Sequence, residues 1–234
     1  MNSVIIIKSY RLILLLLILT GLGLSGCNHE KGVAMYQVDL TNLTHQQPLS
    51  PLAVILHDQS FRIWNEGMPA SEDIERLAEG GDNSMLLQTV TANQSHTATA
   101  SGSGLILPGH TDSVTISKKY RSNTALTIAS MLVNSNDAFT GINAVDVTGI
   151  KANEPLTLWA HALDAGTEGN DELAATIPGP AGGGEGYNSN RNDRNIITVH
   201  AGIISTDDGL PLSTLDNTHR FDNPVARIVI SRLH

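Results

Sequence analysis

Tyr36-Gln-Val-Asp-Leu-Thr-Asn-Leu-Thr44 decides the fold class. Its first five positions alternate apolar and polar, the period of a strand that buries one face. Leu52-Ala-Val-Ile-Leu56 follows, an unbroken apolar run between Pro51 and His57, which reads as a second strand covered on both sides. Short β-type runs recur at Met85 to Val90, Ser113 to Ser117, Ala125 to Val133, Leu156 to Ala160, Ile196 to His200 and Val225 to Ile230. Between them lie segments rich in Gly, Asn, Asp and Ser. Only Pro69 to Glu79 reads as helix. Ser71 is its N-cap, Glu72 and Asp73 sit in the first turn, Gly80-Gly81 end it, and Ile74, Leu77 and Ala78 form the buried stripe. About eight strands, one short helix and no βαβ alternation predict an all-β antiparallel sandwich. With 3 Phe, 2 Trp and 4 Tyr in the whole chain, the core must be largely Val, Ile and Leu, and Trp64 and Trp159 are read as packing residues.

The 234 residues fit one domain, since sandwiches often run to about 200–250 residues. A net charge of −9 excludes a nucleic-acid binder, which needs a basic face to displace counterions. A single Cys excludes an intrachain disulfide framework and any thiolate metal cluster. At the N-terminus, Lys8 and Arg11 precede the apolar stretch Leu12 to Leu24, shorter than the roughly 20 residues of a permanent span. Leu24-Ser25-Gly26-Cys27 then resembles the bacterial lipobox, which places a lipid on the chain's sole thiol. The expected organisation is a lipoprotein signal peptide over 1–26, lipidated Cys27 and a polar tether over 27–34, and a sandwich domain over 35–234. An uncleaved N-terminal anchor is the other reading. Asn28, rather than Asp, after the Cys points to the outer membrane of a Gram-negative bacterium. Cleavage removes two basic residues and no acid, so acyl chains and not charge must hold the mature chain on its membrane.

Two acidic turns stand out. One is Asn134-Ser-Asn-Asp-Ala-Phe-Thr-Gly141, after the strand ending at Val133; the other is His161-Ala-Leu-Asp-Ala-Gly-Thr-Glu-Gly-Asn-Asp-Glu172. Turns at strand ends can meet at one edge of a sandwich, and hard carboxylate oxygens suit Ca²⁺. Asp164 and Glu168, with Asp137 from the other turn, are the candidate ligands; plain solvated turns are the alternative, since EF-hand spacing is absent. His57, His110, His161 and His200 are candidate bases or zinc ligands, but no H-E-x-x-H spacing joins them. No G-x-S-x-G and no P-loop occurs, and Ser101-Gly-Ser-Gly104 lacks the helix a phosphate cradle needs. Pro178 to Asn195, dense in Gly and Asn, reads as a long mobile loop, either functional or an insertion.

Taken in order, Tyr36 to Thr44 with Pro51 and His57, Ala70-Ser71 through Glu79 and Gly81-Asp82, Asn136-Asp137-Ala-Phe-Thr-Gly141, Asp164-Ala-Gly-Thr167 and Val225 to Arg232 resemble the spondin N-terminal domain family, the module of F-spondin and mindin and of bacterial secreted proteins. The resemblance implies a C2-like antiparallel β-sandwich with calcium at one edge. Its ligands there carry over to Asp137, Asp164 and Glu168. Ala138 replaces the family's Trp and Glu168 its Asp, so Asp171 is a substitute for the third position. The implied function is a membrane-anchored lipoprotein displaying a calcium-binding module for attachment to an extracellular or envelope protein or glycan, not an enzyme. The rival readings are a periplasmic metal-dependent hydrolase using His57, His110 or His200, and an envelope protein with no ligand.

Overall fold

The computed structural model describes residues 32–234. The expected signal peptide, Cys27 and most of the tether lie outside the described residues. Ten strands, β1 (Val33–Asn42), β2 (Ala53–Asp58), β3 (Ala98–Ser101), β4 (Thr111–Lys119), β5 (Thr124–Met131), β6 (Ala138–Asp146), β7 (Leu156–Ala160), β8 (Ala162–Asp164), β9 (Thr198–Val199) and β10 (Ala226–Arg232), form two sheets. Their orders are β4-β1-β10-β7 and β3-β2-β5-β6-β8-β9, and every pairing is antiparallel. The all-β sandwich read from the sequence is what forms.

The alternation in β1 does what its period requires. Ala34, Tyr36, Val38 and Leu40 face inward and meet Val114 and Ile116 of β4, Ile228 and Ile230 of β10, and Val54, Leu56, Leu126 and Ile128 of the opposite sheet. The continuous run of β2 has a different cause. Its Ala53 and Ile55 face outward, under α1 (Glu72–Gly80) and α2 (Ser84–Asn93), which lay Ile74, Leu77, Leu86 and Val90 on that face of the larger sheet. Ser71 caps α1 by accepting from the Ile74 N–H at 3.4 Å, and Gly81 ends it in the left-handed region at φ 69°.

Three expectations are corrected. Met85 to Val90 is not a strand but lies in α2: its buried residues, Leu86 and Val90, are four apart, a helical spacing inside a run too short to distinguish by periodicity. Phe139 to Gly141 belong to β6 rather than to a turn. Trp64 packs edge-on against Phe139 at 5.3 Å, but Trp159, on the edge strand β7, is 56% exposed.

β6 was obscured by its irregularity. Its register against β5 shifts between Leu126 and Ile128, and Ala144 has φ 52°. Gly141 passes so close to β5 that a Cβ there would run into the carbonyl oxygen of Ile128. Gly141→Ala is therefore expected to cost about 3 kcal/mol, read from urea unfolding followed by circular dichroism; a loss below about 1 kcal/mol would mean that the two strands can separate at that point.

β1 also orients the molecule lengthwise. Its last residue, Asn42, donates to the carbonyls of Gln47 and Ile106, and Gln47 in turn donates to the Asn134 carbonyl and accepts the Asn134 N–H. Its first residue, Val33, pairs with Lys119 at the opposite end of β4.

Candidate metal centre

Asp137 immediately precedes β6, and Asp164 closes β8. The β6–β8 register sets Ala138 opposite Asp164, and the Ala165 N–H donates to the Asp137 carbonyl at 3.2 Å. Strand pairing thus brings together two acids 27 positions apart in the numbering. Both are buried, with Asp137 0% and Asp164 3% exposed.

The turn after β8 then wraps around the pair. Asp137 Oδ2 accepts from the N–H groups of Thr167 and Glu168, at 2.8 and 3.1 Å, and from the Thr167 hydroxyl. Its Oδ1 has no partner. Asp164 Oδ1 accepts from the Gly166 N–H at 2.8 Å, and Oδ2 from the Asn170 side-chain amide at 2.8 Å, leaving the buried Asn170 Oδ1 unpartnered. Gly166 is required here: φ is 69°, and a Cβ would strike the backbone of Ile196.

Burial is the largest influence on Asp137, and the charge of Asp164 adds to it. Together they push the Asp137 carboxyl up to about 7 against the pull of the surrounding N–H donors. Two neighbouring buried acids, one of them with a donorless oxygen, form an arrangement that a cation would relieve.

The remaining acids divide between two sides. Glu168, buried, directs Oε1 to Arg191 Nη1 at 2.6 Å and to the Asn136 amide at 3.2 Å; Arg191 Nη2 also reaches Glu79 Oε2 of α1 at 3.5 Å. Burial pushes the Glu168 carboxyl up to about 8 although Arg191 opposes the rise. Asp171 is exposed and accepts from Asn136, Thr176 and the Leu173 N–H, as a local turn residue. Glu172 is 1% exposed; its Oε1 accepts from the Ile204 N–H at 3.1 Å and its Oε2 is unpartnered. Burial lifts its carboxyl to about 7, with the charges of Asp171 and Asp137 adding to the rise. Among the described residues, no group of three His, Cys, Asp or Glu side chains stands ready to hold one metal ion.

The histidines occupy separate settings. His57 is a buried core residue, with Nε2 2.7 Å from the Thr127 hydroxyl and Nδ1 2.8 Å from the Asp58 carbonyl. His110 and His161 are exposed. His200 is buried beside Phe221, and its Nδ1 accepts from the Gly202 N–H at 2.9 Å. Burial lowers its pKa, opposed by the charge of Asp164.

Sequence reading named Asp137, Asp164 and Glu168 as ligands; it did not single out Asn170, Glu172, Glu79 or Arg191, which the structure places around them. Arg191 lies in the 178–195 segment read as a mobile loop. That segment has no helix or strand, yet it is pinned throughout: Ala181 N–H donates to Asn134 Oδ1, Asn188 N–H to Glu79 Oε2, and Tyr187 lies under Arg76 at 4.0 Å. An open polar cleft of about 310 Å³ separates it from α1 and the Asp164 turn, lined by Glu72, Glu75, Thr167, Tyr187 and Asn192.

The structure is thus a two-sheet antiparallel β-sandwich in which strand pairing brings two buried acids together, and a sandwich alone does not fix a function. The Spondin_N family model matches residues 34–175, more than half of the chain, and the chain belongs to the spondin N-terminal domain family. Membership makes it an extracellular-type binding module. The matched stretch contains both Asp137 and the 164–172 turn and stops short of Arg191 and β10. No curated protein matches the chain.

Proposed function

We propose that this chain is an envelope lipoprotein, anchored through Cys27 to the outer membrane, that displays a calcium-binding spondin-type sandwich for attachment to a protein or glycan partner. The observation that carries the calcium reading is Asp137 Oδ1, a fully buried carboxylate oxygen with no donor, set beside the second buried acid Asp164. Hard oxygens with tolerant geometry are what Ca²⁺ takes. Asp137, Asp164 and the Asn170 carbonyl oxygen are the groups that fit it. Held by these residues, a calcium ion would supply charge neutralisation to the two acids. The protein groups do the rest: the N–H donors of Gly166, Thr167 and Glu168 hold the two Asp side chains in place before any ligand arrives.

Calorimetric titration of the purified domain with CaCl₂ tests the metal reading. One-site binding in the wild type and none in Asp164→Asn is the expected result; heats equal to buffer dilution in both would overturn it. The anchor is tested separately by metabolic labelling with radioactive palmitate. Label should enter the full-length protein and be absent from Cys27→Ser, and equal labelling of the two would remove Cys27 as the lipid site.

A further inference from the structure

We propose that the end of the sandwich at which the chain enters is a basic face that docks on anionic phospholipid headgroups and sets the domain upright on its anchor. The inference rests on the Cys27 anchor proposed above and makes no use of the calcium reading. Charge and chain length carry it.

Four segments meet at this end. Val33 and Ala34, the first residues of β1, pair with Lys119 and Lys118 of β4, and the Tyr120 N–H donates to the Gly32 carbonyl. The turn from β4 to β5 continues through Arg121. Its Asn123 carbonyl accepts from the Gln59 N–H, which brings in the end of β2 and Arg62. The Val147 N–H donates to the Thr124 carbonyl, which adds the β6–β7 turn with Lys151. Arg232, the last residue of β10, lays its guanidinium over the Tyr120 ring at 5.4 Å and donates to the Ile150 carbonyl at 3.4 Å.

The charge at this end is opposite to that of the chain. Of the 14 Lys and Arg in the sequence, six stand in these segments: Arg62, Lys118, Lys119, Arg121, Lys151 and Arg232. Of the 23 Asp and Glu, three do: Asp58, Asp146 and Glu154. Outside these segments, residues 32–234 hold five cations against nineteen acids, and no lysine at all. The three local acids are turned to other tasks. Asp58 accepts from Ser60 and Asn123, and Asp146 from Thr148, each within its own turns. Glu154 meets Lys151 at 3.3 Å, but the two side chains are 67% and 74% exposed, and such a pair holds little. Among the described residues, Lys118, Lys119 and Arg121 make no ion pair. Tyr120 and Leu233 are also exposed there, so an amphipathic ring and an apolar group stand among the cations, as suits a headgroup layer.

Chain length brings this face to its partner. Cys27 stands six residues before Val33, so lipid on its thiol keeps the entry end within about 20 Å of the bilayer surface. The potential of anionic lipid decays over about 8–10 Å at physiological salt, within that reach. It attracts the basic end and repels the acidic remainder. The acyl chains hold the protein on the membrane, and the charge polarity chooses which end faces it.

The test uses the chain expressed in full and floated with vesicles of phosphatidylcholine, alone or with about 30% phosphatidylglycerol. Flotation with the neutral vesicles reports the anchor. Brief modification of lysines by acetylation and of arginines by phenylglyoxal, read by mass spectrometry, reports the face. Lys119, Lys151 and Arg121 should react at least about threefold more slowly on the anionic vesicles, and about 0.5 M salt should abolish the difference. Arg194 and Arg220, outside the basic end, should react equally on both. The triple variant Lys119→Glu, Arg121→Glu, Lys151→Glu should lose the protection of Lys118 while floating with neutral vesicles as before; Arg194→Glu with Arg220→Glu should keep it. Equal rates on the two kinds of vesicle, protection shared by Arg194 and Arg220, or protection that survives the triple variant would overturn the proposal. Protein that does not float with neutral vesicles overturns the anchor. The face then stands if the same protein floats with anionic vesicles in a salt-dependent way, and falls with the anchor if it does not.

Discussion

Calcium in excess is expected to raise the melting temperature of the domain by about 5–10 °C at pH 8 and by much less at pH 5. An ion at about a hundred times its Kd stabilises the folded state by about 2.7 kcal/mol. In a domain of this size each kcal/mol moves the midpoint by about 2–4 °C. The pH dependence follows from the direction of the shifts. Asp137 and Glu172 are raised to about 7 and Glu168 to about 8, all above ordinary carboxylate values. Their folded forms hold protons that the unfolded chain has already released. The stability these groups contribute is complete below about pH 4, where both states are protonated, and is lost as pH climbs through about 7 to 8. With chelator present, the midpoint should therefore fall between pH 5 and pH 8. Calcium competes with those protons, so it binds weakly at pH 5 and strongly at pH 8, where it cancels most of the fall. Asp164→Asn should erase the difference between calcium and chelator at every pH. A scanning calorimetry series showing the same calcium increment at both pH values would refute the linkage, and no increment at either would refute the site.

The second large effect belongs to Arg191. Arg191→Met is expected to cost about 3–5 kcal/mol of folding stability at pH 8, the range seen when one partner of a buried ion pair is removed. The Arg191 side chain is 16% exposed, while those of Glu79 and Glu168 are 0% and 3% exposed. Two carboxylates depend on this one cation, and Glu79 Oε1 and Glu168 Oε2 already lack donors. Without Arg191 both acids remain under the 178–195 segment with their charge uncompensated. The penalty should shrink at pH 5, because Glu168, already raised by burial against the pull of Arg191 and of the Asn136 amide, is then protonated. Adding Glu79→Gln to Arg191→Met should recover part of the loss. Urea unfolding at the two pH values measures all of this. A cost below about 1 kcal/mol at pH 8 would show that the segment lifts away and lets water reach the acids.

The sandwich was legible because its two central motifs carry unambiguous periods. β1 alternates strictly, and β2 is apolar on both sides because α1 and α2 cover the face that a simple two-sheet sandwich would leave wet. The caps of α1 were equally clear, since Ser71 and Gly81 each have a specific backbone task. β6 was hidden because Asn, Asp and Gly, the residues of a turn, surround its start, and because its pairing needs Gly141 to approach Ile128 closely. The candidate centre was legible only as far as one family motif reaches. Asp137 and Asp164 follow from their turns. Glu172 does not, because the hydrogen bond from its N–H to the Asn136 side chain crosses 36 residues and leaves no spacing to read. Arg191 was invisible for another reason. The composition of 178–195 signals slack, whereas several of its glycines are there to let the backbone pass close to its neighbours: a Cβ on Gly179 would strike the Val133 carbonyl, and one on Gly184 would strike Ala174 and Ala175.

The lengthwise polarity of β1 has a mechanical consequence. The chain enters the sandwich at Val33, and the strand carries it some 30 Å, at about 3.3 Å per residue, before Asn42 hands over to Gln47 and the Asn134 turn beside Asp137. A domain held from its N-terminus is thus gripped at the heel and presents the carboxylate end at the toe. Any load applied through that toe would pass along β1 and its seven-residue register with β10, pulling on many ladder bonds in shear at once instead of peeling them singly.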